Sequence, residues 1–262
     1  MTMDTVSSDL LVESSNGVLR VTINRPEKRN ALSSEVLHSL GNVFTSNADD
    51  HSLRVAVLRG AGEQCFAAGG DLRELASITT LDGAAQMARD AKAALEAIRK
   101  FPVPVVAALN GDAMGGGAEL SVACDFRIAA AHARIGFVQG RLNIATAWGG
   151  GIDLMRLVGP ARGLRLLCRG DMLSGAEAAG LGLVDAVARE GQTLDALIED
   201  FIAPILRQVP QVLRAFKSVA RGSRAGLSRE ELNELETRMF AETWVHKDHW
   251  TAAEKITSKW KS

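Results

Sequence analysis

Leu10 to Val12 and Val18 to Ile23 are apolar or alternating runs on either side of Asn16-Gly17, and Asn-Gly between two such runs predicts a β-hairpin. A cationic loop from Asn24 to Leu32 follows, then Ser33, Ser34 and a predicted helix through Phe44. Leu53 to Leu58 reads as a short strand that turns at Arg59-Gly60-Ala61-Gly62. Helical periodicity marks Gly83 to Arg99, with Met87, Ala91, Leu95 and Ile98 on one face, and Phe101-Pro102-Val103-Pro104 breaks it before the buried strand Val103 to Leu109. Phe126 to Ala130 and Ile135 to Val138 read as further strands, and Ala147 to Gly151 opens a helix over Ile152 to Val158. Ser174 to Glu177 has capping-box spacing, which starts a short helix that Gly180 or Gly182 stops. Leu183 to Val187 reads as a last strand. Strand, loop and helix in alternation argue for an α/β layer architecture. After Thr193 the character changes: Leu194–Gln208, Pro210–Arg221 and Ser228–Trp244 are amphipathic helices, and Trp250 to Trp260 is mostly helical. The division is an α/β core over residues 1–192 and a helical region over 193–262.

Composition narrows the classes. The 262 residues are 47% hydrophobic with a net charge of −1, enough for a full core and too balanced for a dedicated nucleic-acid binder. Cys65, Cys124 and Cys168 are scattered without CxxC spacing, which reads as reduced thiols in a cytoplasmic protein. Met1 to Asp9 is polar and acidic, unlike a signal peptide, and no apolar run approaches the about 20 residues that span a bilayer. No membrane partner is expected.

The chemistry centres on Gly111-Asp112-Ala113-Met114-Gly115-Gly116-Gly117-Ala118-Glu119-Leu120. Glycines let the backbone approach a ligand closely, and a helix start aims free N–H groups at negative charge. Glu119 stands just inside that helix, placed to exchange protons with whatever the N–H groups hold. The pattern is half of an oxyanion hole with a carboxyl beside it. Cys65-Phe66-Ala67-Ala68-Gly69-Gly70-Asp71-Leu72 repeats the same logic and supplies the other half.

Together the blocks Asn24-Arg25-Pro26, Asn30-Ala31-Leu32, Phe66 to Leu72, Pro104 to Asp125, Trp148-Gly149-Gly150 and Ala176 to Val184 resemble the crotonase superfamily, that is, the enoyl-CoA hydratase/isomerase family. The resemblance runs through nearly the whole chain in order. It implies a spiral of ββα units with a C-terminal helical region that assembles the protein as a homotrimer or dimer of trimers and covers the active site. It also implies an acyl-CoA substrate and no separate cofactor, coenzyme A being part of the substrate. By resemblance the amides of Gly70 and Gly116 form the oxyanion hole. The CoA moiety lies near Ala31 and Leu32, with Ala68, Gly69 and Asp71 close by and Lys28 or Arg29 toward its phosphates. Ala76 to Asp82, Ile135 to Trp148 and the C-terminal helices are expected to shape the acyl pocket.

Glu119 matches one of the two glutamates that hydratases of this family use. The position of the second falls on Gln139, which hydrogen-bonds but cannot ionise near neutral pH. Decarboxylation of a 2-carboxyacyl-CoA survives that change, because loss of CO₂ itself creates the enolate; single-base isomerisation survives it as well. The Gly115–Leu120 block leading to Arg127, the Phe-Val pair before Gln139 and Trp148-Gly149-Gly150 resemble the ethylmalonyl-CoA decarboxylase branch, from which Thr146 and Gln139 depart. The expectation is a lyase, with decarboxylation favoured over hydration or isomerisation. The rival of another class is a non-catalytic CoA-thioester- or RNA-binding relative.

Three further features invite a bland and a sharp reading. Six cations and no acid lie between Arg207 and Arg229, a solvated face at an oligomer rim or a hold on polyphosphate. His246 and His249 stand three apart without further ligands at suitable spacing, so surface packing is expected and no metal. Cys65 and Cys124 read as small buried hydrophobes.

Overall fold

The computed structural model describes residues 3–258, with side chains from residue 8. Strands β1 (Met3–Ser7), β2 (Leu10–Ser15) and β3 (Val18–Ile23) form an antiparallel meander. Asn16 and Gly17, with φ of 53° and 80°, supply the left-handed pair that a two-residue hairpin turn demands. Helix α1 (Ser34–Ser46), capped by the Ser33 hydroxyl on the Val36 N–H, returns the chain to β4 (Val55–Gly60), parallel to β3.

After β4 the strands divide between two sheets. β6 (Val105–Leu109), β8 (Phe126–Ala129) and β11 (Ala186–Val187) extend the large sheet, whose order is β1-β2-β3-β4-β6-β8-β11. β5 (Cys65–Ala67), β7 (Asp112–Met114), β9 (Arg134–Gly136) and β10 (Leu173–Ser174) build a small sheet of order β10-β9-β7-β5. Helices α2 (Leu72–Leu75), α3 (Leu81–Lys100), α4 (Gly116–Ala123), α5 (Gly150–Val158), α6 (Pro160–Arg169) and α7 (Gly175–Gly180) complete the spiral. Asn110 makes the corner between the sheets: its Oδ1 accepts the Gly60 N–H at 2.9 Å and its Nδ2 donates to the Cys65 carbonyl at 3.0 Å. Such turned backbone has no ladder partner, so a buried amide side chain supplies the bonds.

Among the elements without a clear signal are β7 and α6. β7 is too short for its alternation to register. α6 carries Gly163 in mid-helix, a weak helix former, because a Cβ there would stand 2.9 Å from Met155 Cγ on α5. The last predicted strand shrinks to Ala186–Val187. Arg127 explains why, since its Nε takes the Leu183 carbonyl and its backbone N–H takes Asp185 Oδ2, both at 2.7 Å.

The main core lies on one face of the large sheet under α1, α3 and α4. On the other face Val57, Val106 and Ile128 pack against Ile198 and Ile202 of α8 (Leu194–Leu206). The change of character near residue 192 is therefore a change from strands to helices, and α8 is joined to the sheet. α9 (Pro210–Ala225), α10 (Arg229–Trp244) and α11 (Lys247–Ser258) follow; Trp260 lies outside the described residues.

Neither reading of the cation run holds for its middle. Lys217 is 4% exposed and paired with Asp125. Arg224 donates to the Val122 and Ala123 carbonyls at 2.5 and 3.2 Å, and Arg214 to those of Ala48 and Asp50 at 3.2 and 2.6 Å. For Arg224 the physical reason is that α4 is buried along its whole length, and the unpaired carbonyls at its C-terminus need donors that water cannot supply; Arg214 does the same for the loop after α1.

Candidate active site

Two loops and two helix starts converge. The first loop, Arg25 to Leu32, is laced to the second, Ala67 to Asp71, by backbone bonds Ala68 N–H to Arg29 O, Leu32 N–H to Gly69 O and Asp71 N–H to Leu32 O, of 3.1, 2.8 and 3.1 Å. Arg25, 5% exposed, reinforces the seam: Nη1 donates to the Ala31 carbonyl at 2.6 Å and Nη2 to Asp71 Oδ2 at 3.1 Å. Asp71 also caps α2 through the Arg73 N–H, and its ion pair with Arg25 helps hold its carboxyl below the usual range against the opposing effect of burial. Thus Ala31, Leu32, Ala68, Gly69 and Asp71 are gathered in one place. Lys28 and Arg29 are exposed beside them, with the Arg29 guanidinium 3.9 Å from Met114 Sδ.

The second loop lies directly on the start of α4. Gly69, at φ 94°, has no room for a side chain: a Cβ would sit 3.2 Å from both Gly116 N and Met114 O. Gly116 opens α4, so its N–H has no acceptor within the helix, and among the described residues the Gly70 N–H donates to no backbone carbonyl. The Trp148 indole, 6% exposed, covers the Cα side of both glycines; a Cβ on Gly116 would lie 2.3 Å from its Cζ3, and one on Gly70 3.6 Å from its Cζ2.

Glu119 lies one turn into α4 and is 2% exposed. Its Oε2 accepts the Trp148 and Gly150 N–H groups at 2.9 and 2.8 Å. Its Oε1 accepts the Ala147 N–H at 3.4 Å and Gln139 Nε2 at 2.9 Å. The carboxyl therefore plugs the N-terminus of α5, a favourable place for negative charge. Burial works against it and wins, pushing the carboxyl above its ordinary value while the four hydrogen bonds pull it down. Gly150 is obligatory, because a Cβ there would meet Glu119 Cγ at 2.4 Å. Gln139 is buried as well, and its Oε1 has no protein partner.

A cavity of about 530 Å³ adjoins this centre between α1 and α3, lined by Leu32, Leu37, Leu75, Ile78, Met87 and Trp148 among others. Ile78 and Trp148 come from the two core segments expected at the acyl pocket; within one chain, none of its lining residues comes from the helices after residue 193. The sequence reading missed Arg25 as the brace of the two loops and Trp148 as the cover of both glycines. Arg25 had a signal in the Asn-Arg-Pro block, whereas the stacking of Trp148 depends on a fold that local pattern does not carry. Among the described residues no group of three or more His, Cys, Asp or Glu is placed to hold a metal. Cys65 and Cys124 are buried thiols, pushed up by burial to about 11 and about 12.

A two-sheet spiral in which two glycine loops and a buried glutamate meet beside a cavity is the arrangement to set against known families. The sequence model of the enoyl-CoA hydratase/isomerase family matches residues 13–262, and the chain belongs to that family. It is 34% identical over 223 residues to an enoyl-CoA isomerase/hydratase of Mycosarcoma maydis, covering 81% of this chain and 80% of that one. It is 30% identical over 255 residues to a short-chain-enoyl-CoA hydratase of Clostridium acetobutylicum, covering 96% and 95%. The crystal structure of an enoyl-CoA hydratase from Bacillus anthracis superposes with a TM-score of 0.89 at 30% identity, covering 96% of each chain. The protein is thus a crotonase-superfamily enzyme acting on acyl-CoA.

Proposed function

We propose that this enzyme decarboxylates a 2-carboxyacyl-CoA. The observation that carries the reading is the pair at the centre: the side chain bonded to Glu119 is Gln139, so the carboxyl of Glu119 has an amide beside it where hydration calls for a second acid or base. The thioester oxygen takes the Gly70 and Gly116 N–H groups. The bond between the α-carbon and the carboxylate breaks, CO₂ leaves, and the electron pair passes to the thioester oxygen as an enolate. Losing one such amide donor typically costs about 10²–10³ in rate. Glu119, whose carboxyl burial pushes above its ordinary value, then delivers its proton to the α-carbon and regains one from solvent. Apolar groups at the glycines, Leu75 Cδ1 and the Trp148 ring, favour the step further, because a carboxylate brought against them loses hydration that neutral CO₂ does not need.

One observation favours a second reading, hydration. The buried, unpartnered Gln139 Oε1 is an acceptor that suits a water shared with Glu119, and several relatives carry hydratase names. A panel assay separates the two. Methylmalonyl- or ethylmalonyl-CoA is expected to release CO₂ faster than crotonyl-CoA loses its enoyl absorbance. Rapid hydration of crotonyl-CoA without decarboxylation of either substrate overturns the first reading.

Assembly belongs to the same proposal. Phe216, Phe240, Trp244 and Trp250 are 68%, 59%, 45% and 49% exposed on α9 to α11, more apolar surface in one region than a monomer usually leaves in water. A trimer, alone or doubled, is the state that covers it.

A further inference from the structure

Two of the three backbone amides that hold Glu119 belong to the turn Trp148-Gly149-Gly150, and that turn is itself clamped from behind. Arg99, in the last turn of α3, sends Nη2 to the Trp148 carbonyl at 3.1 Å and Nε to Asp153 Oδ2 at 2.8 Å. Asp153 is 3% exposed in the first turn of α5, and its own N–H returns to the Gly149 carbonyl at 3.1 Å. Its other oxygen lies 3.5 Å from Arg224 Nε, and Arg224 in turn caps the C-terminus of α4. Gly149 is shaped to this contact as well as to its φ of 91°, since a Cβ there would stand 2.9 Å from Arg99 Nη2. A planar guanidinium spanning a carbonyl and a carboxylate fixes direction as well as distance.

We propose that Arg99 is a positioning residue: with Asp153 it fixes the Trp148–Gly150 turn so that two N–H groups point at one oxygen of Glu119. The consequence follows from the sign of those bonds. N–H donors favour the charged carboxylate, so loosening the turn shifts Glu119 toward its protonated form. The ionisation of Glu119 is governed chiefly by burial and by its four hydrogen bonds. The charges behind the turn are Arg99 and Glu96 from α3, Asp153 from α5 and Arg224 from α9.

The test titrates Glu119 in the free, full-length protein, following the infrared band of its carboxylic acid, identified as the component absent from Glu119→Gln. It needs no substrate, so it stands apart from the decarboxylase reading, although the name positioning residue rests on Glu119 being the proton carrier. Arg99→Met is expected to raise the midpoint by about one pH unit, a tenfold change in ionisation constant. Arg99→Lys, which keeps the charge without the fork, is expected to recover part of that shift. Because Arg99→Met leaves the Asp153 charge without its main partner, the double variant Arg99→Met/Asp153→Leu is measured too. Removing both members of a buried pair is often tolerated where removing one is not. The double variant is expected to keep the raised midpoint. A midpoint unchanged in Arg99→Met overturns the proposal. So does a shift that disappears in the double variant, since the orphaned charge and not the turn then moved Glu119.

Discussion

At the scale of single residues, the unusual feature is a carboxyl group wanted in both of its forms. Four donors surround Glu119 as though for a permanent anion, yet burial raises its pKa, and the resultant is an acid that lasts to higher pH than a solvated glutamate. Glu119→Gln is therefore expected to lower kcat by about 10²–10⁴-fold while leaving CoA-thioester affinity within a few-fold of the parent, as measured by steady-state turnover and calorimetric binding. Unchanged turnover means that another group carries the proton. The pH dependence has a definite sign. If Glu119 protonates the enolate, its acid form is the working one, so kcat is high at low pH and falls as pH rises through a midpoint above the usual carboxylate range. A pH–rate profile that rises instead points to base chemistry, as in isomerisation. Glu119 and Gln139 were both legible in the sequence, because each lies in a block whose spacing carries over. Their 2.9 Å bond was not, since it joins residues 20 apart across two elements.

At the scale of elements, α4 matters most because it has no wet side. In the proposed function its N-terminal glycines serve the thioester, and its C-terminal carbonyls must be answered from elsewhere in the chain. Helix α9 answers them with Arg224, and just past the helix end its Lys217 pairs with the Asp125 carboxylate. Lys217→Met is expected to destabilise the fold by about 3–5 kcal/mol, because it leaves the Asp125 carboxylate without its buried partner; urea unfolding with an unchanged m-value measures it. A loss under about 1 kcal/mol means that α9 is held by its apolar contacts alone. The cations of α9 were visible in the sequence as an excess of charge. What they face was not, because pattern within a helix carries no record of a partner element about a hundred residues away.

At the scale of the whole molecule, the exposed aromatic face of α9 to α11 is the feature left without a use inside one chain. Sedimentation equilibrium is expected to report a trimer or a multiple of it, and Phe240→Asp to shift that mass toward the monomer. A monomeric parent protein at micromolar concentration contradicts the proposed assembly. Among the described residues no helix is long and apolar enough to cross a membrane.

What the sequence by itself determined is the set of local devices. Asn16-Gly17 makes the hairpin, Ser33 and Ser174 cap their helices, and the two glycine runs with Glu119 declare an anion-holding site beside a proton carrier. These follow from backbone dihedrals, capping and short-range donors, which act over a few residues. Only the tertiary structure decided how the devices meet. It laid Trp148 across Gly70 and Gly116, turned Gln139 onto Glu119, and set Arg99 and Asp153 behind the turn that grips the carboxyl. The physical reason is that orientation and burial, and hence the ionisation of Glu119, come from groups brought together by the packing of α3, α4 and α5, and no window of sequence contains that packing.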